Sequence, residues 1–314
     1  MDFNEIRKDY FAEKFVVISK ARKHRPHEFK QENVESKGIC PFCPGNESMT
    51  EEVLSYPSFE NWKIRVIENK YPILQDSKEK IDYVSDYFYP GIGKHYVIIE
   101  TRDHNKRLHE LSLEDIEDYL KVVGIVSDEM ESDDEIEYVH FFKNEGRQSG
   151  ASLRHSHSQI IAFPFVPPRI REIIDSSLNH PGCYLEHIMK LERDTDRFVM
   201  ETEYFFVFTP YASIFPYELW IVPKKHIPKL SHLVIDERRN LAYLLKRFLA
   251  KAYALNGSYN MILYQAPKGH DFHMFLQILP RLSIWGGVEL GTNIIVNVVS
   301  PEDAAAYYRD ENQE

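Results

Sequence analysis

The sequence predicts an α+β protein made of two copies of one unit, each an antiparallel sheet with helices packed on one face. The two halves share a weak but ordered succession of motifs. Within each half the predicted strands alternate or run apolar and are joined by short connections, which is typical of antiparallel sheets. The 314 residues contain neither a Gly-x-Gly-x-x-Gly fingerprint nor a Walker phosphate loop, so a Rossmann or P-loop fold is not supported.

The internal repeat consists of an apolar run, a histidine, a helical pattern and a pair of strands. The run at residues 96–100 leads to His104, and the run at residues 218–222 leads to His226. The strand pairs that follow the helical patterns are predicted at residues 138–143 and 152–163 in the first half and at residues 259–264 and 272–279 in the second.

The apolar pattern is interrupted by prolines at residues 164–168, which indicates a connection between the two units. We therefore place a boundary around residue 170, with predicted domains at residues 1–170 and 171–314.

The overall charge excludes several classes of function. The formal net charge is −11, which argues against a broad basic face for nucleic acid or for an anionic membrane surface. Residues 1–9 lack the apolar core of a signal peptide, and no run reaches the roughly 20 apolar residues of a membrane helix. These patterns predict a cytoplasmic protein.

Three cysteines are too few for a disulfide framework, and two of them form a C-x2-C pair, Cys40 and Cys43. This spacing lets two thiolates bind one zinc ion, and His104 and His155 are the best candidates for the other two ligands. A thioredoxin-like redox pair is the competing interpretation, but residues 44–46, Pro-Gly-Asn, do not suit the helix start that it requires.

The repeat also predicts a second metal site of mixed ligands, at the positions that correspond to the first. Its candidates are Cys183, Glu186, His226 and His273. His180 or His187 could replace Glu186 in this set.

A further motif, at residues 155–159, places His155, His157 and Gln159 two residues apart at the start of an apolar run. In a strand these side chains share one face, with about 6.6 Å between the two histidines. That spacing suggests that one histidine binds a metal while the other addresses a substrate. The alternative is a polar strand face whose histidines only form hydrogen bonds.

Positive charge for a phosphate group is available in two segments. Arg22 and Arg25 lie in the first, and the second links two predicted strands with glycines, small residues and the polar side chains of Lys143, Asn144 and Arg147. Such a loop lets backbone N–H groups approach phosphate oxygens closely. Each charge alone is typical of a solvated surface, but the second segment leads directly into the histidine motif.

Taken in order, these motifs resemble galactose-1-phosphate uridylyltransferase of the histidine-triad superfamily, and within it the plant-type branch that includes ADP-glucose phosphorylase. The resemblance covers nearly the whole chain and implies a duplicated histidine-triad-like unit. The matching segments are residues 22–26, 40–47, 62–72, 142–146, 155–159 and 287–292.

The resemblance implies a ping-pong transfer in which His157 attacks the α-phosphorus of a nucleoside diphosphate sugar. A sugar 1-phosphate, or phosphate itself, then collects the nucleotide. It further implies that Gln159, Ser152 and Asn144 bind the nonbridging oxygens, while Arg22 and Arg25 hold the β side.

Other roles follow from the same resemblance. Asn69 and Arg25 would approach the nucleotide and Glu289 the sugar, and the protein would be a homodimer. The family's structural zinc ligands correspond to Cys40, Cys43, His104 and His155.

The sequence departs from the family pattern in three places. No glutamine follows Glu289 where the galactose-specific enzymes use one, and the family lysine is missing near residues 283–285. Phe275 replaces the nucleophile in the second half, so one active site per chain is expected. A phosphorylase acting on ADP-glucose and a nucleotide-sugar hydrolase are alternative enzymes. A silent zinc-stabilised scaffold is disfavoured by the intact His157 and Gln159.

Overall fold

The computed structural model describes residues 5–18, 39–76 and 91–311. In these ranges the strands are β1 (Glu5–Lys8), β2 (Phe15–Ile18), β3 (Glu52–Tyr56), β4 (Ile64–Glu68), β5 (Lys94–Ile99), β6 (Tyr138–Glu145), β7 (His157–Phe163), β8 (Phe198–Glu201), β9 (Phe205–Phe208), β10 (Leu219–Pro223), β11 (Tyr259–Tyr264), β12 (Phe275–Pro280) and β13 (Ile295–Asn297). The α-helices are α1 (Leu113–Glu131), α2 (Pro168–Leu178), α3 (Tyr184–Glu192), α4 (Ile235–Asn256), α5 (Gly287–Thr292) and α6 (Pro301–Tyr308). None of these helices combines the length and the apolar character that crossing a membrane requires.

Ten strands form one antiparallel sheet in the order β3-β4-β5-β7-β6-β11-β12-β10-β9-β8. Counted outward from its centre, the first half gives β6, β7, β5, β4 and β3, and the second gives β11, β12, β10, β9 and β8. Each half therefore has the same topology, with α1 and α4 at equivalent points of the chain. The predicted α+β class and the duplication are confirmed.

The two units share this sheet instead of forming separate ones. Their central strands β6 and β11 pair antiparallel, with Asn144 opposite Asn260. A small second sheet joins β1, β2 and β13. The boundary predicted near residue 170 falls in the first turn of α2, and it stays a prediction.

The two longest helices pack side by side on one face of the sheet, which we call the helix face. α1 begins where the Ser112 hydroxyl accepts the backbone N–H of Asp115 at 3.1 Å, a typical N-cap. Ile116 and Val123 of α1, Leu245 of α4 and Ile98 of β5 belong to one buried core cluster. Burial of this apolar cluster holds both helices against the same face of the sheet.

The opposite face, which we call the open face, is covered by other elements in the second half. There Trp220, Tyr264 and Phe275 form an aromatic cluster, with 4.6 Å between the ring centroids of Trp220 and Phe275. Helices α2 and α3 pack against it, and Phe11 from the β1–β2 hairpin stacks on Trp220 at 5.8 Å. The sequence predicted helices on one face only, because the apolar stripes of α2 and α3 do not reveal which surface they cover.

Alternate residues of β7 face opposite sides of the sheet, and on the helix face Ser158, together with Ser156 just before the strand, contacts a buried ion pair. Nζ of Lys143 lies 2.9 Å from Oε2 of Glu100, and both side chains are fully buried. The Ser156 hydroxyl donates to the same carboxylate at 2.6 Å, and the Ser158 hydroxyl also donates to it. This network ties β7 to β5 and β6.

Burial alone would lower the pKa of Lys143, but the carboxylates of Glu100 and Glu145 raise it above its usual value. The ammonium group therefore stays charged inside the protein. The hypothesis that Lys143 binds phosphate is wrong, because the period of two in β6 directs this side chain toward the helix face.

The turn after β6 depends on Gly146, whose φ is +78°. A Cβ atom there would lie 2.1 Å from the carbonyl oxygen of Gly257, so only glycine allows this approach. This close contact places the loop at residues 146–152 against the C-terminal end of α4.

Replacing Lys143 by Met should destabilise the protein strongly. The change leaves the buried carboxylate of Glu100 without its cation, and breaking one side of a buried pair costs about 3–5 kcal/mol. Denaturant unfolding of the purified variant measures this loss in the free energy of unfolding. The double change Lys143→Met with Glu100→Gln should recover much of it, since no unpaired charge then remains.

Arg239→Ala is the matched control for this experiment. The ion pair of Arg239 with Asp236 has both side chains 64% exposed, so its loss should leave the free energy of unfolding nearly unchanged. Equal destabilisation by Arg239→Ala and Lys143→Met would contradict the role given to the buried pair.

Candidate active site

The histidine motif does not begin as a strand. The sequence predicts a strand from Ser152, but β7 starts at His157, and His155 lies in a bend just before it. The bend lets Nδ1 of His157 donate to the carbonyl oxygen of His155 at 2.8 Å. Because a carbonyl only accepts, the proton is on Nδ1 and Nε2 of the neutral ring carries a lone pair.

The imidazole of His157 is largely buried, with 6% of the residue exposed. The ring of Phe42 packs edge-on against it at 5.4 Å between ring centroids. Burial lowers the pKa of His157, so the ring stays neutral near pH 7. A neutral imidazole with a defined lone pair is a competent nucleophile.

Four side chains that the sequence assigned to a metal site converge beside His157. One ligand atom each from Cys40, Cys43, His104 and His155 lies within 4.8 Å of the others. The Cys40 and Cys43 sulfurs are both 3.6 Å from Nδ1 of His155, and the Cys43 sulfur is 3.3 Å from Nδ1 of His104. Tetrahedral zinc with ordinary Zn–S and Zn–N bonds would separate sulfur and nitrogen by about 3.6 Å. The donor set and its spacing fit such a cation.

The second nitrogen of His155 supports the same interpretation. Nε2 donates to the carbonyl oxygen of Thr101 at 2.8 Å, which leaves the unprotonated Nδ1 for a cation. Burial and the neighbouring Cys40 raise the pKa of Cys43, so two adjacent thiolates need a positive partner.

A second cluster contains three of the four residues predicted for the second half. Cys183, His226 and His273 bring ligand atoms within 4.8 Å of one another, and they line a cleft of about 320 Å³. Glu186 is not a member of this cluster. Asp271, which the sequence analysis did not single out, lies 2.9 Å from Nε2 of His226.

The two alternative histidines also lie outside the second cluster. His180 and His187 stack on each other, with 4.6 Å between their ring centroids. Both belong to the surface of α3 and the turn before it.

Asn69 and Gln159, which the sequence assigned to substrate, meet at a residue that it missed. Oε1 of Gln159 is 2.9 Å and Nδ2 of Asn69 is 3.1 Å from Nε2 of His95. His95 is the one polar residue on the face of β5 that it shares with Val97 and Ile99. This exception to the apolar pattern was the available signal.

Asn144 and Ser152 lie at the two ends of the glycine-containing loop. Oδ1 of Asn144 accepts from Nδ2 of Asn260 at 2.7 Å, so the opposite half of the molecule orients this amide. Ser152 is exposed, and Gly146 and Gly150 both adopt positive φ angles. Their roles toward phosphate stay predictions.

The remaining substrate candidates are Arg22, Arg25 and Glu289. Arg22 and Arg25 lie outside the described residues. The carboxylate of Glu289 accepts the backbone N–H of Gly286 at 2.8 Å and thus caps its own helix, α5.

The position that corresponds to His157 in the second half is Phe275, inside the aromatic cluster. Nearby, Gln277 donates to the buried carboxylate of Glu218 at 2.6 Å. Phe275 is itself buried between Trp220 and Tyr264, so this position carries no imidazole, and the single active site stays a prediction.

Acidification should destabilise the protein partly through His140. Its ring stacks on Phe142, and burial lowers the pKa of His140 to about 4. The unfolded chain takes up this proton near pH 6.5, whereas the folded one does not. The contribution of neutral His140 to the free energy of unfolding is therefore complete above about pH 6.5. It is lost as the pH falls toward 4, by about 1.4 kcal/mol per pH unit.

His140→Phe should make the dependence of unfolding free energy on pH shallower by that amount between pH 6 and about 4.5. Urea unfolding across this pH range measures it. His232→Asn, which removes an exposed histidine, is the control and should keep the wild-type slope. An unchanged slope in the His140→Phe variant would contradict a neutral, half-buried His140.

Comparison with known proteins identifies relatives along the whole chain. The model for the N-terminal domain of galactose-1-phosphate uridyl transferase matches residues 2–167, and the model for its C-terminal domain matches residues 137–278. The two matches overlap on β6 and β7, the strands at the centre of the site.

Individual relatives agree with the family match. ADP-glucose phosphorylase of Arabidopsis thaliana is 35% identical over 98% of this chain and 92% of its own length. Galactose-1-phosphate uridylyltransferase of Thermotoga maritima is 30% identical over 98% of both chains. The crystal structure of the Arabidopsis ADP-glucose phosphorylase with bound ADP-glucose superposes with a TM-score of 0.85 at 33% identity, covering 99% of this chain and 100% of that one. These findings confirm the resemblance inferred from the motifs.

Proposed function

The chain belongs to the galactose-1-phosphate uridyl transferase family, and from this membership and the state of His157 we propose how it transfers a nucleotide. A nucleoside monophosphate passes from a nucleoside diphosphate sugar to an acceptor through a covalent bond to His157. The proposal rests on the hydrogen bond that Nδ1 of His157 donates to the His155 carbonyl oxygen. This bond keeps the proton on Nδ1, so the lone pair of the neutral ring is on Nε2.

In the first step Nε2 of His157 attacks the α-phosphorus. The bond from that phosphorus to the bridging oxygen breaks, and the sugar 1-phosphate leaves with the electron pair. The imidazole then carries a positive charge, which the His155 carbonyl stabilises through the proton on Nδ1. In the second step an oxygen of the acceptor attacks the phosphorus, the P–N bond breaks and the neutral ring is restored.

Charge that develops on the nonbridging oxygens needs donors fixed in advance. We assign this role to the amide of Gln159, with Asn144 at the end of β6 and Ser152 from the loop at residues 146–152. Arg22 and Arg25 would hold the β-phosphate. Asn69 would contact the nucleotide and Glu289 the sugar.

The cluster of Cys40, Cys43, His104 and His155 would hold a zinc ion with a structural role. Bound there, the ion would fix the ring of His155 and hence the carbonyl that sets the tautomer of His157. Cys183, His226 and His273 would hold a second metal ion. Glu186 is not part of this cluster, and the carboxylate of Asp271, 2.9 Å from Nε2 of His226, is better placed as a further ligand.

A hexose 1-phosphate is the first candidate acceptor, as in the uridylyltransferases. Inorganic phosphate acting on ADP-glucose is the second. It is supported by the similarity to ADP-glucose phosphorylase and by the missing glutamine and lysine of the galactose-specific pattern. A homodimer and a cytoplasmic location, both expected from the sequence, stay predictions.

The covalent intermediate is directly testable. Incubation with α-³²P-labelled ADP-glucose or UDP-glucose should leave acid-labile label on the wild-type protein and none on the His157→Ala variant. Gln159→Ala should label at least about tenfold more slowly, because it removes one donor to the phosphoryl group. Filter binding after a rapid quench measures both the amount and the rate.

His187→Ala is the control variant, since it removes an exposed histidine of α3 and should label like the wild type. Labelling of His157→Ala at the wild-type level would contradict the mechanism. The labelled wild-type enzyme also identifies the acceptor. Separate additions of glucose 1-phosphate, galactose 1-phosphate and phosphate should discharge it at different rates, and loss of label in buffer alone would indicate a hydrolase.

The metal assignment predicts that Cys43→Ser loses the ion of the first cluster. Metal analysis of the purified wild type should find one or two zinc ions per chain, and the variant should lack one of them. Its melting temperature should fall by on the order of 10 °C, because metal-binding free energy contributes to folding. Cys183→Ser is the matched control, which should affect only the second cluster. A fully folded wild-type protein free of metal would contradict the structural role.

A further inference from the structure

His95 stands at a junction of three segments on the open face. It lies in β5, opposite Ile161 of β7, and only 6% of the residue is exposed. Its Nδ1 accepts the backbone N–H of Ile73 at 3.2 Å. Since a backbone N–H is always a donor, Nδ1 carries no proton. Burial lowers the pKa of His95, so the ring is neutral and its one proton is on Nε2.

That proton determines the orientation of Gln159. Nε2 of His95 is 2.9 Å from Oε1 of Gln159, and a protonated nitrogen at this distance donates to the amide oxygen. The oxygen and the NH₂ group occupy opposite ends of the planar amide. The NH₂ group therefore points away from His95. It lies on the same side of the sheet as His157, because Gln159 and His157 are two residues apart in β7.

The loop that follows β4 is attached to the same ring. The backbone N–H of Tyr71 donates to Oδ1 of Asn69 at 2.9 Å, which turns Nδ2 of Asn69 toward His95, 3.1 Å from Nε2. Because both of these nitrogens carry protons, the approach is a packing contact and not a hydrogen bond. Together with the bond from Ile73, this places residues 69–73 around the imidazole. The orientation of His95, and through it that of Gln159, depends on the position of this loop.

We propose that His95 is a positioning residue that fixes the amide of Gln159 with its N–H groups directed at the transferring phosphoryl group. The inference rests on the proposed function and adds to it a residue that does not touch the substrate. Without His95 the two orientations of the amide become nearly equivalent. An amide oxygen would then face the anionic oxygens in part of the molecules, and transition-state stabilisation would fall.

Three replacements of His95 separate this role from general packing. His95→Gln places an amide N–H where the imidazole Nε2 lies, and His95→Asn replaces only the Nδ1 end. His95→Leu removes both groups. The rate of His157 labelling in a single turnover, with the nucleotide sugar that labels the wild type, should fall about 10- to 100-fold in His95→Leu and His95→Asn. His95→Gln should restore most of the rate.

A double-mutant cycle tests whether His95 acts through Gln159. In the Gln159→Ala background, the change His95→Leu should slow labelling less than twofold, because no amide remains to be oriented. A tenfold or larger loss in that background would overturn the proposal. So would equal rates for His95→Gln and His95→Leu.

Stereoselectivity toward phosphorothioates gives a readout that a purely structural defect would not change. The two diastereomers of the α-thio nucleotide sugar place sulfur on different nonbridging positions, so a fixed donor discriminates between them. The ratio of their labelling rates should move toward one in His95→Leu and return toward the wild-type value in His95→Gln. An unchanged ratio in His95→Leu would overturn the proposal.

The outcomes distinguish an error in the proposed function from an error in the role of His95. Absence of label on wild-type His157 with every nucleotide sugar would contradict the proposed function itself. Normal labelling of the wild type, with additive effects of His95→Leu and Gln159→Ala, would contradict only the role of His95. Circular dichroism and metal content of each variant establish that the compared proteins are folded alike.

Discussion

The buried ion pair between Lys143 and Glu100 holds β7 in the register on which the site depends. Ser156 and Ser158 are bonded to this pair on the helix face, so His157 and Gln159 must lie on the open face. Because the side chains of a strand alternate, a slip by one residue would exchange the two sets. A polar network inside the core thus specifies which residues lie on the open face.

From β7 outward, the histidines of the site are oriented by hydrogen bonds to backbone groups. The ring of His155 donates to the Thr101 carbonyl, and the carbonyl of His155 accepts from Nδ1 of His157. His95 has the corresponding relation to Gln159, through a backbone N–H on its other nitrogen. In both cases a backbone group determines a tautomer, and the tautomer determines which atom faces the reaction.

The two halves of the chain share one topology. Both contribute five strands and a long helix, and both carry a Cys/His cluster. They differ in what lies on the open face. Helices α2 and α3 and Phe11 cover that face in the second half, and Phe275 completes the aromatic core where the first half has an imidazole. The second unit has the same structural elements, and apolar packing around Phe275 occupies the position that corresponds to His157.

The sequence by itself determined the features that depend on short-range geometry. The period of two placed His157 and Gln159 on one face, the C-x2-C spacing indicated a metal site, and the ordered repeat predicted the duplicated α+β unit. Residues 152–156 were wrongly included in β7 because a bend and an extended segment share the same composition.

Only the tertiary structure decided the relations between distant segments. The burial of Lys143, the tautomer of His95 and the cover over Phe275 each depend on residues that are distant in the chain. A lysine in a strand has the same local pattern whether its partner is water or Glu100, and a histidine's proton is placed by whichever acceptor folds against it. Local sequence therefore specified which side chains could react, and long-range packing specified which of them are free to do so.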